Sequence, residues 1–565
     1  MRRRYLCSGE ERIDLSKPYF AIEVLEDGLQ VKFSNNNYEY CIDDGIWKKA
    51  NSFIKIQANA GQTLYFRGDL KPKEYEGIGT FDISGMCNLS GNIMSLLFSD
   101  DFEGKTDLTS YDYVFNTLFD SNNGIIDASN LILPATKLAD CCYYYMFYGC
   151  DSLRTSPELP ATTLADSCYS SMFQDCTSLV TAPELPATTL TYMCYASMFY
   201  GCTKLVTAPA LPATTLDASC YSSMFFGCDS LTQASELPAT TLTGHCYDKM
   251  FYGTNVLPDC SNIDFTKHNN GGLIGLFAGT KVTDNDLYTI LPINPNTGKY
   301  WLPATTLTYM CYESMFQNCT KLVTAPELPA TTLADSCYSS MFQDCTSLTQ
   351  APELPATTLA DNCYNSMFWG CKSLTQAPDL PATTLADRCY RYMFEGCTSL
   401  VTAPDLPATT LAYGCYQFMF YKCSSIVTSP ELPATTLDER CYEYMFQDCT
   451  SLTQAPELPA TTLADNCYNS MFWGCKSLVT APELPATKLP HNCYGYMFSG
   501  CTKLNYIKAL FTTTPSTQCT YNWVLGVSKT GTFVKSKDAT WDVTGVNGIP
   551  TGWTVITDED VNNLI

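Results

Sequence analysis

Histidine is almost missing from this chain: His245, His268 and His491 are the three among 565 residues. A catalytic triad needs nucleophile, base and orienting group in one place, and no histidine here stands in a pattern that could supply the base. His245 and His491 fill positions where otherwise similar segments carry residues such as Asp, Ser, Met or Asn. No enzyme is expected, and no catalytic residue, cofactor or metal ligand is assigned. Long apolar runs are missing too. Nothing approaches the roughly 20 apolar residues of a membrane helix. No signal-peptide apolar run, roughly 7–15 residues long, follows Arg2, Arg3 and Arg4. The expectation is a chain made in the cytoplasm, without membrane insertion and without a standard export signal. Positive charge is short as well, with 33 Lys plus Arg against 57 Asp plus Glu and a net charge of -24. Such a chain repels phosphate backbones and anionic lipid, so nucleic acid is not expected as a partner. No coiled-coil heptads are present to enforce a homo-oligomer, which stays open.

What the chain does have is cysteine, 31 residues, an odd number. Most fall at two fixed positions of an internal repeat, which favours small buried core residues over a disulfide framework. The two cysteines of a copy, such as Cys337 and Cys345, lie eight apart. On a helix that is about 12 Å of rise, too far for a bridge inside one copy and unlike the close pairs of zinc sites. Bridges between adjacent copies stay open.

The repeat reads L-P-A-T-T-L-A-D-x-C-Y-x-x-M-F-x-x-C-x-S-L-x-x-A-P-E/D. Its prolines run at 26-residue intervals from Pro134 to Pro238 and again from Pro303 to Pro485, thirteen copies in all. In the copy Leu354 to Asp379, Asp361 and Asn362 are suitable N-cap residues. Cys363, Tyr364, Met367, Phe368 and Cys371 then fall at i, i+1, i+4, i+5 and i+8, which predicts about two turns of helix with one apolar face. Leu374, Ala377 and Leu380 continue as an extended arm, where Pro378 and Pro381 argue against a conventional paired strand. One copy is too small to fold alone, because ordering each residue costs about 1–2 kcal/mol of backbone entropy. Stacked copies cover one another's apolar faces, with ladders of Phe on Phe, Cys on Cys and Thr on Thr.

These features resemble the Treponema-type (BspA-like) leucine-rich repeat, whose A-F-x-x-C-x-x-L…L-P pattern is matched here by M-F-x-x-C-x-S-L followed by L-P. The resemblance covers about residues 86–525, with Met in place of Ala, a second cysteine and a longer unit. The LPATTLAD…CY…MF…C wording also looks like repeat proteins of gut Bacteroidetes and their phages. The fold class expected is therefore an α/β repeat solenoid, leucine-rich-repeat-like, of short helix plus extended segment.

Three departures punctuate the stack. Residues 1–85 carry strand-like runs such as Tyr19–Val24, Leu29–Phe33 and Gln62–Phe66 separated by turns, which reads as a small β sandwich. The segment Asn92–Phe98 is expected to be a first, atypical helix. Between about 253 and 302, the pair Leu276-Phe277 marks a degenerate copy, and 13 extra residues rich in turn formers (Pro292, Asn294, Pro295, Asn296, Gly298) are inserted. This is expected to be a tolerated surface insertion. Residues 526–565, with Thr532-Phe533-Val534, Trp541 and Trp553–Ile556, read as a short β cap after a decayed last copy containing Cys519 and Val524.

One column varies while its frame repeats. The residue after each Met-Phe pair is aromatic at Tyr148, Tyr200, Phe226, Tyr252, Trp369, Tyr421 and Trp473. This forms a candidate recognition stripe for a sugar or protein, with plain shielding of the surface as the equal alternative. The recurring carboxylates after Ala-Pro, such as Glu353 and Asp379, read as a solvated acidic edge rather than a calcium ladder. The BspA-like resemblance implies a binding or adhesion scaffold, with a bacterial surface glycan or protein as partner. Together with the missing export signal, it favours a phage virion fibre or receptor-binding protein, docked to other virion proteins through residues 1–85. The alternatives are a bacterial cell-surface or secreted adhesin, or a purely decorative virion protein.

Overall fold

The structure, a computed structural model, describes residues 11–34, 38–50, 55–70, 77–260, 262–266, 271–516 and 518–562. His268 and Arg2–Arg4 lie outside the described residues. Two compact units divide between Asp264 and Phe265, within the interruption at 253–302.

The first unit opens with a pair of sheets. One contains β1 (Phe20–Val24), β3 (Tyr38–Ile42), β4 (Lys48–Lys49), β6 (Thr63–Gly68), β8 (Cys87–Asn92) and β9 (Ile125–Ile132), in the order β4-β3-β6-β1-β8-β9. The other is β5-β2-β7, built from β2 (Leu29–Phe33), β5 (Ile56–Ala58) and β7 (Phe81–Ser84). Alternation in β2 buries Leu29, Val31 and Phe33, as one covered face requires. The sheets meet through rings: Phe20 and Phe66 from the larger lie 5.2–6.0 Å from Phe33 and Phe81 of the smaller in three of their pairings. Because β8 pairs with β1, and β9 joins β8 in parallel, this sheet runs past residue 85. Helix α1 (Ser95–Phe98), one turn long, stands where a first helix is expected. Arg67 is 5% exposed and holds the carboxylates of Glu11, Glu39 and Asp100 at 2.7, 2.8 and 2.9 Å.

The repeat itself corrects the expectation of a helix. Residues 361–370 form a run of overlapping turns. Every second N–H closes an i→i−3 bond, as from Asn365 to Asn362 (3.1 Å) and from Met367 to Tyr364 (3.2 Å). The N–H groups between them leave the copy: Asn362, Tyr364, Ser366, Phe368 and Gly370 donate to Asp387, Cys389, Arg391, Met393 and Glu395 of the next copy at 2.7–3.0 Å. An α-helix would use all these donors internally. This coil has a four-residue period, and one residue in four turns left-handed: Asn362, Ser366 and Gly370 have φ of 54°, 57° and 72°. Each left-handed non-glycine costs roughly 1–2 kcal/mol, offset by the hydrogen bonds to the neighbour. A buried set at i, i+1, i+4, i+5 and i+8 fits a period of 4.0 as well as 3.6.

The extended arms meet through single bridges, such as Gln350 to Gln376 to Thr402 and Thr358 to Thr384, with no conventional strand, as the prolines dictate. Strands appear at the end of the stack, beginning with an edge strand, Thr480–Leu484, that still keeps Pro482 and has a register shift beside it. Tyr506-Ile507-Lys508-Ala509 replaces the Pro-containing arm, and the parallel sheet β10 (Thr480–Leu484), β11 (Tyr506–Ala509), β12 (Thr532–Lys535) and β13 (Thr554–Thr557) closes the second unit. The last coil is sealed there: Asn522 N–H donates to Asn547 Oδ1 (2.7 Å) and Trp523 Nε1 to Gly548 O (2.9 Å).

Two copies less regular than the rest also coil. Tyr113, Thr117 and Ser121 are left-handed, and Phe115 and Phe119 donate to Cys142 and Met146. Val114, Phe115, Leu118 and Phe119 there stand for Cys, Tyr, Met and Phe. In the second unit Gly271, Gly275 and Gly279 are left-handed, and Phe277 donates to Met315 O, so Leu276-Phe277 does mark a copy. The inserted residues form a hairpin bridged at Ile293 and Tyr300, preceded by helix α2 (Asp284–Ile290). Asn294 and Thr297 dock the hairpin on Glu327 at 2.7 and 3.0 Å.

Candidate functional site

Two inner ladders fix the spacing of everything outside. In the first unit Phe147, Phe173, Phe199, Phe225 and Phe251 stack at 5.5–5.8 Å. In the second unit Phe342, Phe368, Phe394, Phe420 and Phe446 do so at 5.5–5.7 Å. Tyrosine ladders run beside both. The described cysteines are free, and all but Cys141 are buried. The second cysteine of a copy donates its S–H to the Phe carbonyl of the copy before, as from Cys371 to Phe342 O at 3.0 Å.

The candidate stripe lies outside these ladders. Trp369 and Trp473 are 38% and 37% exposed, while Tyr148, Tyr200, Phe226, Tyr252 and Tyr421 are half-buried. In the first unit Tyr200, Phe226 and Tyr252 stack face to face, each pair 4.6 Å apart. Tyr148 instead meets Tyr145 edge-on at 5.1 Å. In the second unit the stripe is broken, since Glu395 stands between Trp369 and Tyr421, and Gln447 between Tyr421 and Trp473.

The structure adds a second column that sequence reading missed. Trp369 stacks on Tyr392 at 6.1 Å, Trp473 on Tyr496 at 5.4 Å, and Tyr421 packs edge-on against Phe418 at 5.8 Å. Tyr392, Phe418 and Tyr444 then stack on one another at 4.7 and 4.4 Å. They occupy the second left-handed position of the coil, with φ of 58–59°, where many copies carry Ser. Three aromatics in place of Ser at 26-residue spacing was the available signal. Stacked rings cover each other's faces, so these columns offer mainly ring edges, the positive side of the aromatic quadrupole.

Charge around the columns is mixed. Burial lifts the Glu395 carboxyl to about 7, with nearby Lys422 opposing the rise. Lys422 lies over the Tyr421 ring at 4.6 Å. Glu443 is buried among these copies and accepts from the Gln417 amide. The acidic edge is elsewhere, with Glu353 and Asp379 exposed beside a shallow cleft of about 300 Å³ between Pro352–Pro355 and Pro378–Pro381. Among the described residues no three His, Cys, Asp or Glu side chains gather as metal ligands. His245 lies 3.7 Å from Asp248 on the surface, and His491 is exposed. No helix among the described residues is long and apolar enough to cross a membrane.

The profile of the BspA type leucine rich repeat region matches six copies across residues 128–257, 305–409 and 414–521. The chain also aligns with a leucine rich cell surface protein from Faecalibacterium prausnitzii A2-165 at 14% identity and a TM-score of 0.26, over 74% of this chain and 86% of that one. Among curated proteins none matches the chain.

Proposed function

Since the chain belongs to the BspA-type leucine-rich-repeat family, we propose that it is a non-enzymatic binding scaffold, displayed on a surface and holding a glycan or protein along its aromatic columns. The observation that carries this reading is variation inside a fixed frame. Cys, Tyr, Met and Phe recur to build the coil, while the outer columns change from copy to copy and gather rings where they are exposed or half-buried. Side chains kept only to shield a coil would not need aromatics at strained left-handed positions, as at Tyr392, Phe418 and Tyr444.

The full-length protein is expected to bind gut bacteria. The triple variant Trp369→Ala, Tyr421→Ala, Trp473→Ala should lose that binding while keeping its thermal transition. Equal binding by the variant would refute the columns as the recognition element. A finer placement follows the shared wording of the repeat: a phage virion fibre or receptor-binding protein, docked to the particle through its N-terminal sheets. Antibody labelling of intact phage particles tests that placement against a bacterial cell surface.

A further inference from the structure

The second unit repeats itself at a longer range than one copy. Residues 341–374 and 445–478 are identical, four copies apart, and each stretch holds one exposed indole, Trp369 or Trp473. What surrounds each indole is therefore alike. Gln343 and Asp344 stand in the copy before Trp369, and Gln447 and Asp448 in the copy before Trp473. Each of those Asp carboxylates lies against the glycine that follows the indole, Gly370 or Gly474. The likeness continues into the next copy, where Tyr392 and Tyr496 stack on the indoles at 6.1 and 5.4 Å, with planes 25° and 18° apart. Both tyrosines are left-handed, with φ of 58° and 54°. The two indoles are equally exposed, at 38% and 37%. The modules differ beyond the tyrosine: Arg391 lies over Tyr392 at 4.5 Å, and Gly495 holds the equivalent place in the second module.

The phenylalanine ladder sets how the two modules face. From Phe368 to Phe472 it takes four steps of 5.5–5.7 Å, with successive rings within 3–10° of parallel. The stack turns little over those copies, so both indoles look out from the same side of one unit. Beside each indole stand a neutral amide, Gln343 or Gln447, and a carboxylate, and the chain as a whole carries a charge of -24. An acidic polymer is repelled there. An aromatic surface with a few hydrogen-bonding groups next to it suits the mixed apolar and hydroxyl faces of a sugar. A folded protein presents a given patch once, whereas a polysaccharide presents its repeating unit many times. That is the kind of molecule that can meet one chemistry at two places four copies apart.

We propose that Trp369 with Tyr392, and Trp473 with Tyr496, are two like subsites for one neutral polysaccharide, which the chain holds at both at once. This rests on the binding-scaffold reading and adds the ligand class and the valency to it. Once one subsite is filled, further repeating units of the same polymer are tethered near the other indole. Their effective concentration there is high, so the pair binds far more tightly than either subsite alone. A single repeating unit gains nothing from that tether. Polymer and unit therefore respond differently to the loss of one indole.

The test uses the full-length protein and the neutral surface polysaccharide purified from a gut bacterium that it binds, intact and cut by mild acid to single repeating units. In calorimetry two units should bind per chain with similar affinities. Trp369→Ala and Trp473→Ala should each bind one unit with unchanged affinity, and the double variant none. In surface plasmon resonance each single variant should lose about tenfold or more of the affinity for the intact polysaccharide. Tyr309→Ala, at an exposed ring away from both modules, should change nothing. Thermal melts identify any variant that fails to fold. Fluorotryptophan labelling of the parent chain then gives the answer without substitution, since two of its seven indole signals should move together as units are added. A count other than two, or an intact-polysaccharide affinity untouched by a single folded variant, overturns the inference. Bacteria bound by a protein that ignores their neutral polysaccharide overturn it too and leave the scaffold reading standing. If no bacterium is bound, both fall.

Discussion

Cys371 shows how a single side chain serves the stack. Its S–H meets the Phe342 carbonyl at 3.0 Å, and burial pushes its thiol well above the usual range. The same holds copy after copy, so these cysteines are core residues first. Maleimide at pH 8 is therefore expected to label the half-buried Cys141 in the native protein and to spare repeat cysteines such as Cys371 until denaturant is added. Peptide mass spectrometry before and after unfolding checks both. Glu395 gives a pH signature of opposite logic. Its carboxyl rises from 4.5 to about 7 on folding, so its charged form is disfavoured in the native state. Stability linked to it is present below about pH 4.5 and is lost as pH climbs through 7. Glu395→Gln should thus raise the melting temperature at pH 8 and leave it unchanged near pH 4. An equal shift at both pH values would show that solvation, not ionisation, sets the effect.

At the scale of the element, the coil depends on three left-handed residues per copy. Gly370 fills one of them, and a Cβ there would run into the Asp344 carboxylate. Gly370→Ala is expected to cost about 1–2 kcal/mol from the backbone alone, read as a lower urea midpoint, whereas Ser340→Gly should be neutral or stabilising. How much of this was legible follows from particular residues. The apolar offsets of Cys363 to Cys371 located the coil but could not choose between a helix and four-residue turns. Ser, Asn or Gly at every fourth position, as at 362, 366 and 370, was the deciding signal. The copy at Val114–Phe119 escaped notice because it keeps the volumes but not the identities of the repeat. Helix α2 was missed although Thr283 and Asp286 form a capping box. Strands β12 and β13 were readable because the proline-free, β-branched runs there behave like ordinary strands. The aromatic stripe could be read as a column, and its neighbour was missed because many copies carry Ser there, so that Tyr392, Phe418 and Tyr444 stand out only when that position is followed from copy to copy.

Within each of the two units, each copy touches mainly the copy before and the copy after, so stability should scale with neighbours rather than with total length. Deleting one interior copy, residues 355–380, is expected to leave a folded protein with a modestly lower melting temperature. Removing residues 528–565 should be far more damaging, because it strips β12 and β13 from the buried Phe511 and Trp523 and leaves an apolar end open. Circular dichroism melts and size-exclusion chromatography of the two deletions test this, and equal loss in both would contradict a nearest-neighbour stack.

The five N–H groups that Asn362 to Gly370 send to the following copy bear on how such a chain changes over generations. A whole copy added or removed by recombination between its near-identical neighbours brings as many donors as acceptors, all correctly aimed. A slip that cuts into a coil would leave backbone groups unmatched there, whereas extra residues are taken up between coils, as between Phe277 and Phe316, whose coils still bond at Phe277 N–H to Met315 O. The gene can therefore lengthen, shorten or reshuffle the protein in whole copies, carrying aromatics and arginines into new orders while the frame stays sound. Only the sealed ends, where Asn547 and Gly548 close the last coil, lie outside that exchange.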